Sequence, residues 1–153
     1  MELNKLALVA LSMGMCSFTQ AETVNASIEL SLTVPKTCTI NTPTTKLVLP
    51  SNGQNVSATY TVTCNTGYTL GTRSDNYSTS DWATHIKNGN HSLRTNIGTQ
   101  GPNNTIVAIQ YPPTSFPGGS VDTYTLNASL QKPVTANTTP GTYTDQYRVT
   151  VTY

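Results

Sequence analysis

The sequence predicts an all-β chain folded as an Ig-like (Greek-key) β-sandwich. Apolar and polar residues alternate with period two in several segments. Gly, Pro and Asn turn signals recur every 8–12 residues or so. Beyond the first twenty residues, no helical periodicity lasts longer than a turn or two. Thr, Ser and Asn are abundant and Tyr is the main aromatic, which suits pleated surfaces and turns.

The 153 residues suffice for one domain after processing. Only 10% are charged, the formal net charge is +1, and no Lys/Arg cluster occurs. Such a surface argues against nucleic acid as a partner and offers nothing to an anionic membrane.

Residues 1–21 read as a secretory signal. Lys5 gives a weakly basic start, Leu6 to Met15 is apolar, and Thr19-Gln20-Ala21 places small residues around a cut after Ala21. The apolar stretch is about half the ~20 residues a membrane span needs. A lipid anchor at Cys16 is the alternative, but the preceding Met15 is larger than such a site takes. Processing leaves two cysteines, Cys38 and Cys64, which in an exported chain most simply form one disulfide. His85 and His91, six apart and without paired Cys or carboxylate ligands, make no metal motif, and no cofactor is expected.

In order along the chain, Val24, Ala26, Ile28, Leu30, Leu32 and Val34 alternate with Asn25, Ser27, Glu29, Ser31 and Thr33. This is a strand with one apolar face, whose Leu and Ile side chains each yield roughly 1.5–3 kcal/mol when buried. It either pairs at home or is given to another molecule; alternation alone does not decide. Lys46 to Leu49 reads as a short strand, and Asn52-Gly53 as a hairpin turn. Val56, Ala58, Tyr60, Val62 and Cys64 form the apolar face of the next strand, putting Cys64 on the core side. From Asn65 to Gly101 the pattern loosens, with short strands near Tyr68–Leu70 and Leu93–Ile97 and long loops between. Trp82, near His85, is expected in the core, with a binding surface as the alternative. Ile106 to Tyr111 reads as a central strand ended by Pro112-Pro113. Tyr124, Leu126, Ala128 and Leu130 define the next strand. Thr139-Pro140-Gly141-Thr142 has the order of a type II turn. Tyr143, Tyr147, Val149, Val151 and Tyr153 then mark a last strand running to the chain end.

At this point the chain resembles a chaperone–usher pilus subunit, nearest to the spore-coat-U-like, archaic branch. The resemblance rests on the alternating extension after the signal, on Cys38 matched by Cys64 in Tyr60-Thr61-Val62-Thr63-Cys64, and on the closing phrase Pro140 to Tyr153, ending in an aromatic residue. It implies an Ig-like sandwich lacking one strand, with residues 22–35 as a donor extension and 36–153 as the pilin domain. The donor residues would be Val24, Ala26, Ile28, Leu30, Leu32 and Val34. The acceptor groove would be lined by Tyr143, Tyr147, Val149, Val151 and Tyr153. It further implies copies of this or related pilins as fibre partners, a periplasmic chaperone and an outer-membrane usher, cell-surface localisation, and a role in adhesion or biofilm formation, with the receptor unspecified.

No nucleophile elbow, phosphate loop or dinucleotide fingerprint occurs, so no enzyme is expected. The rival reading is a self-contained secreted binding module, adhesin- or lectin-like, using the Asn/Thr-rich loops between Gly71 and Gly101. The Asn-x-Ser/Thr triplets at Asn25, Asn55, Asn76, Asn90, Asn127 and Asn137 would suit a eukaryotic glycoprotein, but a composition rich in Asn, Ser and Thr produces them by chance, and that is the reading favoured.

Overall fold

The computed structural model describes residues 22–153, which fall into two units, 22–33 and Val34–Tyr153. The predicted signal segment, with Lys5 and Cys16, lies outside the described residues. No helix among the described residues is long and apolar enough to cross a membrane.

In the first unit, Glu22 to Thr33 carry no regular secondary structure. The alternation there predicts a strand, and the structure does not form one. Alternation supplies a face but not a partner, and a single strand has no ladder to hold it. Val24, Ile28, Leu30 and Leu32 are 86–92% exposed.

The second unit is a two-sheet arrangement of nine antiparallel strands. They are β1 (Cys38–Asn41), β2 (Val56–Cys64), β3 (Tyr68–Ser74), β4 (Thr84–Asn88), β5 (His91–Gln100), β6 (Ile106–Val107), β7 (Thr114–Phe116), β8 (Val121–Leu130) and β9 (Tyr147–Thr152). One sheet runs β1-β2-β8-β5-β4, with β6 also beside β5; the other runs β7-β3-β9. Neighbours such as β2 and β8 are distant in sequence, as Greek-key connections require.

Period two sets which side chains meet. Tyr60, Val62 and Cys64 of β2 stand opposite Tyr124 and Asp122 of β8 on one face, while Ser57, Thr59 and Thr61 face away. From the second sheet Tyr68, Leu70, Thr72 and Ser74 are buried, and Thr69 and Arg73 are not. The core cluster joins Tyr60, Val62, Cys64, Tyr68, Leu70, Val107, Phe116 and Tyr124. Tyr60 stacks on Tyr124 at 5.2 Å, and Phe116 meets Tyr124 edge-on at 5.3 Å. Such pairs add about 0.5–1.5 kcal/mol beyond area burial.

Several expectations change. Lys46 to Leu49 form no strand; Val48 is 69% exposed and the segment has no pairing partner. The turn after it is real, since Gly53 (φ +78) donates its N–H to the Pro50 carbonyl, but it joins no hairpin. Ile106 to Tyr111 yields only the two residues of β6, because Gln110 turns to φ +63 and Ile109 switches sheets to bridge Thr72. β4 is absent from the sequence reading; Gly89-Asn90 forms a two-residue β4–β5 hairpin loop between the paired Asn88 and His91, where long loops were expected. Pro140-Gly141 is a bend, and the hydrogen-bonded turn lies earlier, from Thr135 to Thr138.

Candidate functional site

The last strand is the place where the sheets are left open. β9 pairs with β3 over six positions, from Tyr147 opposite Ser74 to Thr152 opposite Thr69. β7 occupies the other edge of β3. Among the described residues no strand pairs with the far edge of β9, so its backbone donors and acceptors there lack a ladder. β1 is likewise paired on one side only.

Alternation turns Tyr147, Val149 and Val151 inward, where they are half-buried, and Arg148, Thr150 and Thr152 outward. Val149 and Val151 pack against the core cluster. On the opposing sheet Ile40 shares the inner face with its neighbour Val62; Val62 is wholly buried but Ile40 is 41% exposed. Val56 and Ala58 are only half-buried. The inner faces thus carry apolar surface that the described residues do not fully cover.

Of the five residues expected to line a groove, the structure places Tyr147, Val149 and Val151 together on the inward face of β9. Tyr153 lies just past the strand and is 54% exposed. Tyr143 is outside β9, its hydroxyl donating to the Thr139 carbonyl at 2.9 Å. The strand starts later than the alternation predicts because Thr144 pairs with Lys87, and the Asp145 carboxylate accepts from the Ser74 hydroxyl and the Asn76 N–H. Those tertiary partners draw the chain off the ladder.

Cys38 and Cys64 are bonded, directly opposite each other in the β1–β2 register, with Cα atoms 4.2 Å apart. Beside them stands Asn65, a residue sequence reasoning passed over. Its side chain accepts the Thr37 N–H at 2.9 Å and donates to the Pro35 carbonyl at 2.8 Å, and its N–H donates to the Thr37 carbonyl. These three bonds fix the segment leading into β1. The only signal in the sequence was an Asn adjoining the core cysteine.

Behind β9 lies a cluster of phenols. Tyr68 donates to the buried Asp122 carboxylate at 2.5 Å, which also accepts from Ser120, and the Tyr68 and Tyr124 hydroxyls are 2.7 Å apart. Burial, then the bond to Asp122, pushes the Tyr68 hydroxyl far above the ordinary phenol range. Burial pushes Tyr124 up to about 12. Tyr147 shares a short hydrogen bond with Thr99 and is also raised by burial. These groups stay protonated at any physiological pH and serve packing.

Trp82, expected in the core, is 71% exposed and stands at φ +53 on a loop. Its aromatic surface was legible; the loop that turns it outward was not.

No protein-family model matches the chain, and no curated protein does. Among solved structures it is similar to a chain of the CsuC-CsuE chaperone–tip adhesion subunit pre-assembly complex from archaic chaperone–usher Csu pili of Acinetobacter baumannii. The identity is 17% and the TM-score 0.52, over 79% of this chain and 40% of that one. The fold is an Ig-like β-sandwich. This chain spans less than half the length of that neighbour, and at such identity the likeness is one of fold.

Proposed function

We propose that the protein is a structural subunit of a bacterial surface pilus of the archaic chaperone–usher kind, polymerising by donor-strand exchange. The observation that carries this reading is a complementary pair within one chain. Val24, Ile28, Leu30 and Leu32 stand exposed on a segment without secondary structure, while β9 has an edge without a partner among the described residues and an inward face only half covered by them. A strand added along β9 satisfies the ladder and buries alternate side chains at one stroke. The extension of one copy would enter the next, a heterologous contact that does not close and so extends into a fibre. Before assembly a periplasmic chaperone would cover the same edge, with an outer-membrane usher ordering subunit addition at the cell surface. The similarity to a chain from a chaperone–pilus subunit complex supports this reading. The role is structural, in adhesion or biofilm formation, rather than catalytic. The buried carboxylate of Asp122 is occupied by Tyr68 and Ser120, an arrangement suited to packing.

The test compares thermal unfolding of residues 36–153 with the same polypeptide carrying residues 22–34 at its C-terminus through a short flexible linker. The second should melt higher by tens of degrees. Equal melting temperatures would mean a complete sandwich and a self-contained binding module instead.

A further inference from the structure

Away from β9, a second feature has no part in strand exchange. β5 pairs with β4 up to Thr95 and with β6 from Thr99, so among the described residues no strand lies on that side of Asn96, Ile97 and Gly98. A concavity of about 560 Å³ opens over this gap. That falls within the roughly 300–1,000 Å³ of small-molecule sites. Three residues of free edge are too few to seat an added peptide strand, whose pairing needs a longer ladder.

Two exposed aromatic residues line the concavity, Trp82 (71% exposed) and Tyr111 (60%). Each is held by strained backbone. Trp82 is at φ +53 and Gln110, just before Tyr111, at φ +63. A residue other than Gly, Asn or Asp seldom adopts this region, at a cost of about 1–2 kcal/mol, and such strain gathers at functional sites. The strain is fixed by the surroundings. Ser78 and Ala83 exchange backbone hydrogen bonds of 2.8 and 3.2 Å across the Trp82 loop, and the Asp81 carboxylate lies 3.1 Å from His85 Nε2. Gln110 donates its backbone N–H to the Thr72 carbonyl and its side-chain amide to the Ser74 carbonyl. Asn55, Asn96, Asn127 and Ser129 also line the concavity, Asn55 donating from its side-chain amide to Asn127 Oδ1 at 3.2 Å. The one charged lining residue, Arg94, is tied to Asp81 through a 3.0 Å bond to its carbonyl and a 3.8 Å approach to its carboxylate.

The geometry points to a binding site for a short neutral oligosaccharide. Aromatic faces match the C–H faces of a pyranose ring, and carboxamides both donate to and accept from adjacent hydroxyls. With its cation engaged, the cleft offers little to an anion. The site belongs to a single subunit and is independent of strand exchange.

Trp82 is the only tryptophan of the chain, so its emission reports this cleft alone. The purified protein is titrated with soluble oligosaccharides of glucose, mannose, galactose and N-acetylglucosamine, each up to ~10 mM. At least one should give a saturable shift with Kd between about 10 μM and 1 mM. Asn96→Ala and Asn127→Ala should each weaken it by about 5-fold or more, since each removes a hydrogen bond to the sugar; Asn96→Ala should do so without lowering the melting temperature, whereas Asn127→Ala also removes the acceptor of the Asn55 amide. Capture on the immobilised sugar should be lost in Trp82→Ala and partly kept in Trp82→Phe. An unchanged emission with every sugar overturns the proposal, and so does binding that survives Asn96→Ala and Asn127→Ala intact.

Discussion

At the scale of single residues, the tertiary setting assigns tasks that residue type leaves open. Tyr68 and Tyr124 keep their protons in the fold because burial disfavours the phenolate. In the unfolded chain they titrate near ~10. Above that pH the unfolded state sheds protons that the folded state retains, so stability is fully present below about pH 10 and declines as pH rises towards 12. Denaturant unfolding at pH 8, 10 and 11 should show this decline, and Tyr124→Phe should lessen it without abolishing it, because Tyr60, Tyr68 and Tyr147 are raised too. Tyr68→Phe should also cost about 1–3 kcal/mol at neutral pH, since Asp122 loses a donor in a buried site. Backbone geometry separates two adjacent glycines in the same way. A Cβ at Gly118 (φ +72) would lie 1.9 Å from the Thr66 carbonyl oxygen, whereas at Gly119 (φ +80) it meets nothing within 4 Å. Gly119→Ala should therefore cost only the conformational ~1–2 kcal/mol, and Gly118→Ala clearly more; equal losses in urea titrations would contradict the steric account.

At the scale of elements, β1 and β9 are both paired on one side only among the described residues, yet they are secured differently. β1 has four register pairs with β2 and the Cys38–Cys64 bond, which closes a span of 26 residues. Its reduction should lower stability by roughly 3–4 kcal/mol on the chain-entropy account, measurable as a shift in denaturation midpoint with and without reductant. β9 has no covalent tie. On the solvent side Arg148 grips Asp75 bidentately at 2.7 and 2.8 Å, a bond that holds the Asp75 carboxyl below the usual carboxylate range. Both partners are well exposed, so Asp75→Asn should change the melting temperature little. What keeps β9 in place is its six-position ladder with β3 and the packing of Val149 and Val151 on the core. Leu70 stands opposite Val151 and is wholly buried. Its replacement by Ala should cost about 2–5 kcal/mol and loosen β9 before β2, visible as earlier amide exchange in β9.

At the scale of the whole molecule, the donor reading predicts an assembly phenotype separate from folding. In the chain beginning at Glu22, Leu30→Asp and Leu32→Asp should suppress concentration-dependent polymers in sedimentation. The melting of residues 36–153 alone, which lack these positions, serves as the unaffected reference. A charge placed in an apolar pocket is costly to desolvate, so loss of polymer is the expected sign. Polymers that persist in both variants would exclude this segment as the donor.

Much of the fold was legible in the sequence because period-two alternation reports directly on a half-buried strand. β2 was found to its end residues, β8 nearly so, and the inward set of β9 was correct at Tyr147, Val149 and Val151. The Cys38–Cys64 pairing followed from there being two cysteines after the predicted cut. Legibility ended where long-range partners decide. Lys46–Leu49 has strand composition but pairs with no strand among the described residues, Ile106–Tyr111 is broken by a positive φ at Gln110, and Tyr143 is drawn off the ladder by Thr144 and Asp145. Trp82 is outward because a four-residue loop, closed by Ser78 and Ala83, turns it there. The sequence by itself determined which faces are apolar, since alternation is a local property of the chain. Only the tertiary structure decided which edges stay unpaired and where aromatic side chains stand in solvent, because pairing and exposure depend on residues far apart in the chain.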